Sequence, residues 1–67
     1  MHYGTVAWFD ARRGIGMIMM EGSGSEVPVS SAQIDGGGQQ SLAADTRVAF
    51  RLLHGPGGPR AVDVYVP

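Results

Sequence analysis

A chain of 67 residues, 43% of them apolar, makes one small domain that buries only about 60% of the surface its unfolded form exposes, which leaves no second lobe to carry a site. It has no cysteine, which excludes disulfides and a thiolate metal centre, and His2 and His54 stand too far apart in sequence to begin a ligand cluster. Five arginines and no lysine face six carboxylates, and the net charge of −1 denies the protein the global positive field that usually draws phosphate.

His2 to Asp10 is rich in β-branched and aromatic residues and predicts the first strand. Asp10-Ala11-Arg12-Arg13-Gly14 closes a turn with a glycine able to take positive φ. Trp8, the only tryptophan, and Phe9 sit beside the Arg12-Arg13 pair, and aromatics next to arginines point to a nucleic-acid platform. A second strand runs from about Ile15 to Glu21. Its alternation separates Ile15, Met17 and Met19 from Gly16, Ile18 and Met20, but both sets are apolar, so the pattern alone does not say which faces inward.

Gly22-Ser23-Gly24-Ser25 reads as a hairpin connection, and Glu26 to Ser30 as a short third strand with Val27 and Val29 on one face and Pro28 and Ser30 on the other. Pro28 removes a ladder donor, so local fraying is expected there. Ser31 to Ile34 predicts a helical turn, and 35–41 a glycine-rich loop, the segment expected to move most. Thr46 to Leu53 alternates, predicting Val48, Phe50 and Leu52 inward and Arg47, Ala49, Arg51 and Leu53 outward. Gly55 to Pro59 is turn material, and Arg60 to Val66 a fifth strand with Val62 and Val64 inward.

The run Gly4-Thr5-Val6-Ala7-Trp8-Phe9, then Arg13-Gly14-Ile15-Gly16-Met17-Ile18, resembles the opening of a cold-shock domain. The likeness continues through Val27-Pro28-Val29-Ser30, Ile34, Leu42, Val48, Phe50, the Gly55 to Ala61 stretch and Val64, with about one residue inserted near 23–25. It therefore covers nearly the whole chain. The resemblance implies an all-β fold, a small five-stranded antiparallel OB-type barrel. It also implies Ile18 inward with Ile15 and Met17 outward, and a core of Val6, Ile18, Val27, Val29, Ile34, Val48, Phe50 and Val64.

The same resemblance implies binding of single-stranded RNA or DNA, with a cytoplasmic RNA-chaperone or gene-regulatory role. In that family the first RNP motif is similar to K-G-F-G-F-I and the second to V-F-V-H, with aromatics stacking successive bases. Here those places hold R-G-I-G-M-I and V-P-V-S, and Ser31 and Gln39 also stand where the family often has phenylalanine. The frame survives without most of its rings. The implied interface is Trp8 for stacking, Phe9 (largely core), Ile15, Met17, Pro28 and Ser30 as platform, and Arg12, Arg13 and Arg60 for phosphates. Stacking contributes roughly 1–3 kcal/mol per base, so losing four such contacts forfeits about 4–12 kcal/mol, against about −8 kcal/mol for an entire micromolar complex. Binding is expected to be weak and salt-sensitive.

A second reading stays open. Trp8, Ile15, Met17 and Pro28 would form an exposed apolar patch, which suits a protein-protein interaction module or homodimerisation through the Trp8, Met17 and Pro28 face. No carboxylate pairs with a histidine or another carboxylate at catalytic spacing, no nucleophile has a base near it in sequence, and Gly14-Ile15-Gly16 leads into a strand rather than the helix of a phosphate loop. The chain reads as a non-enzyme with no cofactor. No apolar run approaches the ~18 residues that span a bilayer, and the N-terminus lacks a leader pattern, so a cytoplasmic protein without membrane contact is expected.

Overall fold

A computed structural model describes residues 1–35 and 41–67. Five strands, β1 (His2–Asp10), β2 (Ile15–Met20), β3 (Glu26–Ser30), β4 (Arg47–Gly55) and β5 (Gly58–Tyr65), form one antiparallel sheet in the order β3-β2-β1-β4-β5. A 3-10 turn, Ser31–Gln33, follows β3. The sheet curls until its end strands meet. β3 packs against β5, a parallel bridge joins Ile34 to Val64, and the Asp35 N–H donates to the Val64 carbonyl at 2.7 Å. This is the all-β barrel the sequence predicts.

β1 holds the centre because it pairs on both sides. Its first half, His2 to Thr5, matches Phe50 to Arg47 of β4, and Val6 extends that ladder by exchanging backbone bonds of 2.8–2.9 Å with Asp45 and Thr46. Its second half, Trp8 to Asp10, pairs with β2 alone. The turn between β1 and β2 is built by Asp10, whose Oδ1 accepts from the Arg12 and Arg13 N–H groups at 3.0 and 3.3 Å while its carbonyl accepts from Gly14 at 2.8 Å. Gly14 has φ +70°, the left-handed region expected of it.

All eight residues expected in the core are buried, and Phe9, Met20, Leu42 and Leu52 pack against them. Two alanines are also buried, against expectation. Ala49 is 0% exposed although its parity on β4 points it outward. Its register partners are Tyr3 on β1 and Tyr65 on β5, so a methyl group lies between two larger side chains on the outer face. On β5 the buried residues are Ala61 and Val64, with Val62 only half-buried. The cause is an extra residue: Ala49 pairs with Tyr65 but Arg51 with Val62, and Asp63, at φ +52°, takes up the surplus as a β-bulge. The bulge reverses the inside-outside parity of β5 on either side of it.

Three further expectations change. The β4–β5 hairpin is tighter than its composition predicts, since Gly55 pairs with Gly58 and only Pro56-Gly57 form the turn. Pro59 pairs opposite His54 inside β5, and Pro28 pairs opposite Met17 inside an unbroken β3. Both prolines lie on the end strands of the sheet, where a missing N–H can face away from the ladder, so β3 is not frayed. The second strand stops at Met20, one residue early. The mobility expected of 35–41 falls, for 36–40, outside the described residues.

At Gly16 the two neighbouring strands press close together. A Cβ placed there would lie 2.5 Å from Phe9 Cδ2 and 2.7 Å from the Trp8 carbonyl oxygen, with no room to relax except by moving the ring and the backbone. Gly16→Ala should therefore destabilise the protein by about 1–3 kcal/mol. Thermal unfolding should show a fall of at least about 4 °C in the midpoint.

Candidate functional site

The outer face of β1, β2 and β3 is a small grid fixed by strand register. One row runs Trp8–Met17–Pro28, the next Asp10–Ile15–Ser30, and on the other side Thr5–Met19–Glu26. Neighbouring strands stand about 4.8 Å apart, so each row brings three side chains into contact range. Between these rows, Val6–Ile18–Val27 and Phe9–Gly16–Val29 point into the barrel.

Trp8 reaches the outer row only because of a second bulge. Val6 pairs with Ile18 and Trp8 with Met17, so Ala7 is the surplus residue on β1. Without it, Trp8 would share the inward parity of Val6. With it, Trp8 is 46% exposed and Phe9 is half-buried against the core. The bulge at Asp63 does the same for Arg60, which would otherwise share the inward parity of Val64 and instead stands exposed at the rim.

These elements enclose a groove of about 460 Å³ lined by Trp8, Ile15, Met17, Pro28, Ser30 and Arg60, closed by Gln33 and by parts of Gly16, Val29 and Ala61. Six of the nine residues singled out from the sequence therefore meet at one place. Phe9 does not, because it packs on the inner side beside Gly16. Arg12 and Arg13 do not line the groove either; they stand with Asp10 around a separate depression at the β1–β2 turn. Gln33 was not singled out from the sequence. Strand alternation carries no signal for it, since it belongs to the 3-10 turn beyond β3.

The surface charge is largely settled within the protein. Arg47 forks onto Glu21 at 2.7 and 3.2 Å and lies over the Tyr3 ring at 4.5 Å, Arg51 meets Asp63 at 3.5 Å, and Arg13 meets Asp10 at 3.7 Å. Among the described residues, Arg12 and Arg60 are the arginines in no ion pair. Only Arg60 of these two is at the groove. Among the described residues no group of three or more histidines, cysteines or carboxylates is placed to hold a metal ion, and no helix is long and apolar enough to cross a membrane.

Residues 2–67 match the family model described as the 'Cold-shock' DNA-binding domain. The chain is similar to a probable cold shock protein A of Mycobacterium tuberculosis, at 39% identity over 64 residues and 96% of each chain. It is similar to a cold shock-like protein CspA of Bordetella pertussis, at 35% over 66 residues and 98% of each. It is 41% identical over 64 residues, again 96% of each, to cold shock protein CspB of Geobacillus stearothermophilus.

The Arg47 hydrogen bond, helped by the charge of its guanidinium, holds the Glu21 carboxyl below its usual 4.5 against the opposing effect of desolvation. A carboxyl with a lowered folded pKa contributes stability that is present above its unfolded value and lost as pH falls through the folded one. The contribution of this pair should thus be intact at neutral pH and fade below pH 4.5. Thermal melts across the acid range should show a shallower decline for Glu21→Gln than for the parent protein.

Proposed function

The chain belongs to the cold-shock domain family, a family of nucleic-acid-binding domains, and from that premise we propose that the outer face of β1, β2 and β3 binds single-stranded RNA or DNA weakly and with little sequence preference. The observation that carries this reading is the Trp8–Met17–Pro28 row, aligned across three strands with the unpaired Arg60 at its rim. Trp8 stacks on one base. Met17, Ile15 and Pro28 make dispersion contact with that base or its neighbour, and Arg60 meets a phosphate.

The weakness follows from the side chains present. One ring contributes roughly 1–3 kcal/mol, and a single guanidinium adds a salt-dependent increment in a protein of net charge −1. Arg12 and Arg13 act at a distance from the groove, meeting a strand that extends past the β1–β2 turn. Such binding, shallow in sequence preference and quick to release, suits a cytoplasmic RNA chaperone acting as one domain.

Titration of Trp8 fluorescence with oligothymidine and oligouridine at low salt tests the reading. Quenching should saturate and vanish at high salt, and Trp8→Ala, followed by strand anisotropy, should bind about 5- to 150-fold more weakly. Arg60→Ala should reduce the slope of log affinity against log salt by about 0.7. No quenching up to high micromolar strand, with no binding by anisotropy, would sink the proposal and leave the apolar row as a protein-docking surface.

A further inference from the structure

Gln33 is held at the groove by an unusually well-anchored piece of chain. The Ser31 N–H donates to the Gly14 carbonyl at 2.8 Å, which ties the start of the 3-10 turn to the β1–β2 turn. Ile34, immediately after Gln33, is buried in the core and bridges Val64, and the Asp35 N–H bonds the Val64 carbonyl. Gln33 therefore sits between two fixed points, half-buried, on the groove wall. Its backbone therefore loses little further freedom when the side chain binds, while the carboxamide itself stays free to turn.

Its polar end is unoccupied. Among the described residues no hydrogen bond engages the Gln33 carboxamide, the Ser30 hydroxyl or the Arg60 guanidinium. The groove's other side chains, Trp8, Ile15, Met17 and Pro28, offer apolar surface, one aromatic ring and its indole N–H donor. An apolar slot with a ring on one wall and an open donor–acceptor pair on another fits a flat heterocycle with a polar edge.

We propose that Gln33 reads the hydrogen-bonding edge of one base seated in this groove, and is the residue through which base identity is felt. The proposal rests on the single-strand reading given above. A carboxamide presents an N–H donor beside a C=O acceptor, and each of the common bases carries a donor next to an acceptor. Glutamine can turn to match any of them, so in the parent protein it adds affinity with a shallow ranking of bases. Glutamate at neutral pH is an acceptor only. The thymine N3–H is flanked on both sides by carbonyl oxygens that repel a carboxylate, whereas the cytosine N4 amino group has an acceptor on one side alone.

The test uses oligothymidine and oligodeoxycytidine strands of about eight nucleotides, followed by anisotropy at low salt. Gln33→Ala should weaken both by about two- to tenfold, with an unchanged unfolding midpoint. Gln33→Glu should raise the ratio of cytidine-strand to thymidine-strand affinity at least about fivefold over the parent protein, because the added phosphate repulsion falls on both strands and cancels in the ratio. An unchanged ratio in Gln33→Glu overturns the inference and leaves the single-strand reading standing. Failure of the parent protein to bind either strand overturns both.

Discussion

A β-strand turns successive side chains to opposite faces, so one surplus residue in a ladder reverses every side chain beyond it. Both ends of the groove depend on that reversal. Ala7 in β1 sends Trp8 out to the Met17 row and brings Phe9 in over Gly16. Asp63 in β5 admits Ala61 and Val64, three residues apart, to the same core, and turns Arg60 out to the rim. The irregularities are also what let a five-stranded sheet curl tightly enough for β3 to meet β5. Closure of the barrel and the composition of the groove are thus consequences of the same two residues.

This explains which parts of the molecule were legible in the sequence. The strands of the first half were read almost to the residue, because β-branched runs and glycine turns mark them locally. The core was legible through alternation in β3 and β4 and, for β2, where Ile15, Met17 and Met19 are as apolar as the inward Ile18, through the family resemblance. Parity was not. A bulge leaves no mark on composition, so Val62 was read as an inward residue when Ala61 takes that place; Ala49 does face outward as read, and what the sequence did not show is that its cross-strand partners Tyr3 and Tyr65 leave it no exposed surface. The adjacent aromatics Trp8 and Phe9 were legible as a feature, but which of them faces solvent comes from the family resemblance and the bulge, not from alternation. Gln33 was invisible for a different reason: its position depends on how the segment around the 3-10 turn is tied to the β1–β2 turn and to β5.

Charge follows a related logic. The sequence displays an Arg12-Arg13 pair beside the aromatics, and adjacency in the chain invites the two to be assigned to one site. In space the turn built by Asp10 holds them away from the groove, and Asp10 also draws on Arg13. Arg47, the arginine with the closest ion pair, is committed to Glu21 and Tyr3 at the far end of β1. These exposed pairs contribute little to stability, because water screens the attraction and two long side chains must be held in one geometry. Their larger effect is to cancel positive charge that a polyanion would otherwise meet, leaving Arg60 as the cation at the groove.

A platform with one ring constrains a ligand differently from a row of rings. An aromatic pair prefers particular offsets, because the quadrupoles of both partners resist most others. Methionine and proline attract a base through dispersion, which depends on contact area and hardly on angle, and methionine can adjust its shape to whatever lies on it. Met17 and Pro28 can therefore hold a base against Trp8 without fixing how it is turned. Orientation must then come from polar groups that cannot move far. Among the described residues that line the groove, those with unoccupied side-chain hydrogen-bonding capacity are Trp8, through its indole N–H, Ser30, Gln33 and Arg60, and of these Gln33 is the one on a segment pinned on both sides by backbone hydrogen bonds outside the strand ladders. The poorer the platform is in rings, the more of the recognition passes to its rim.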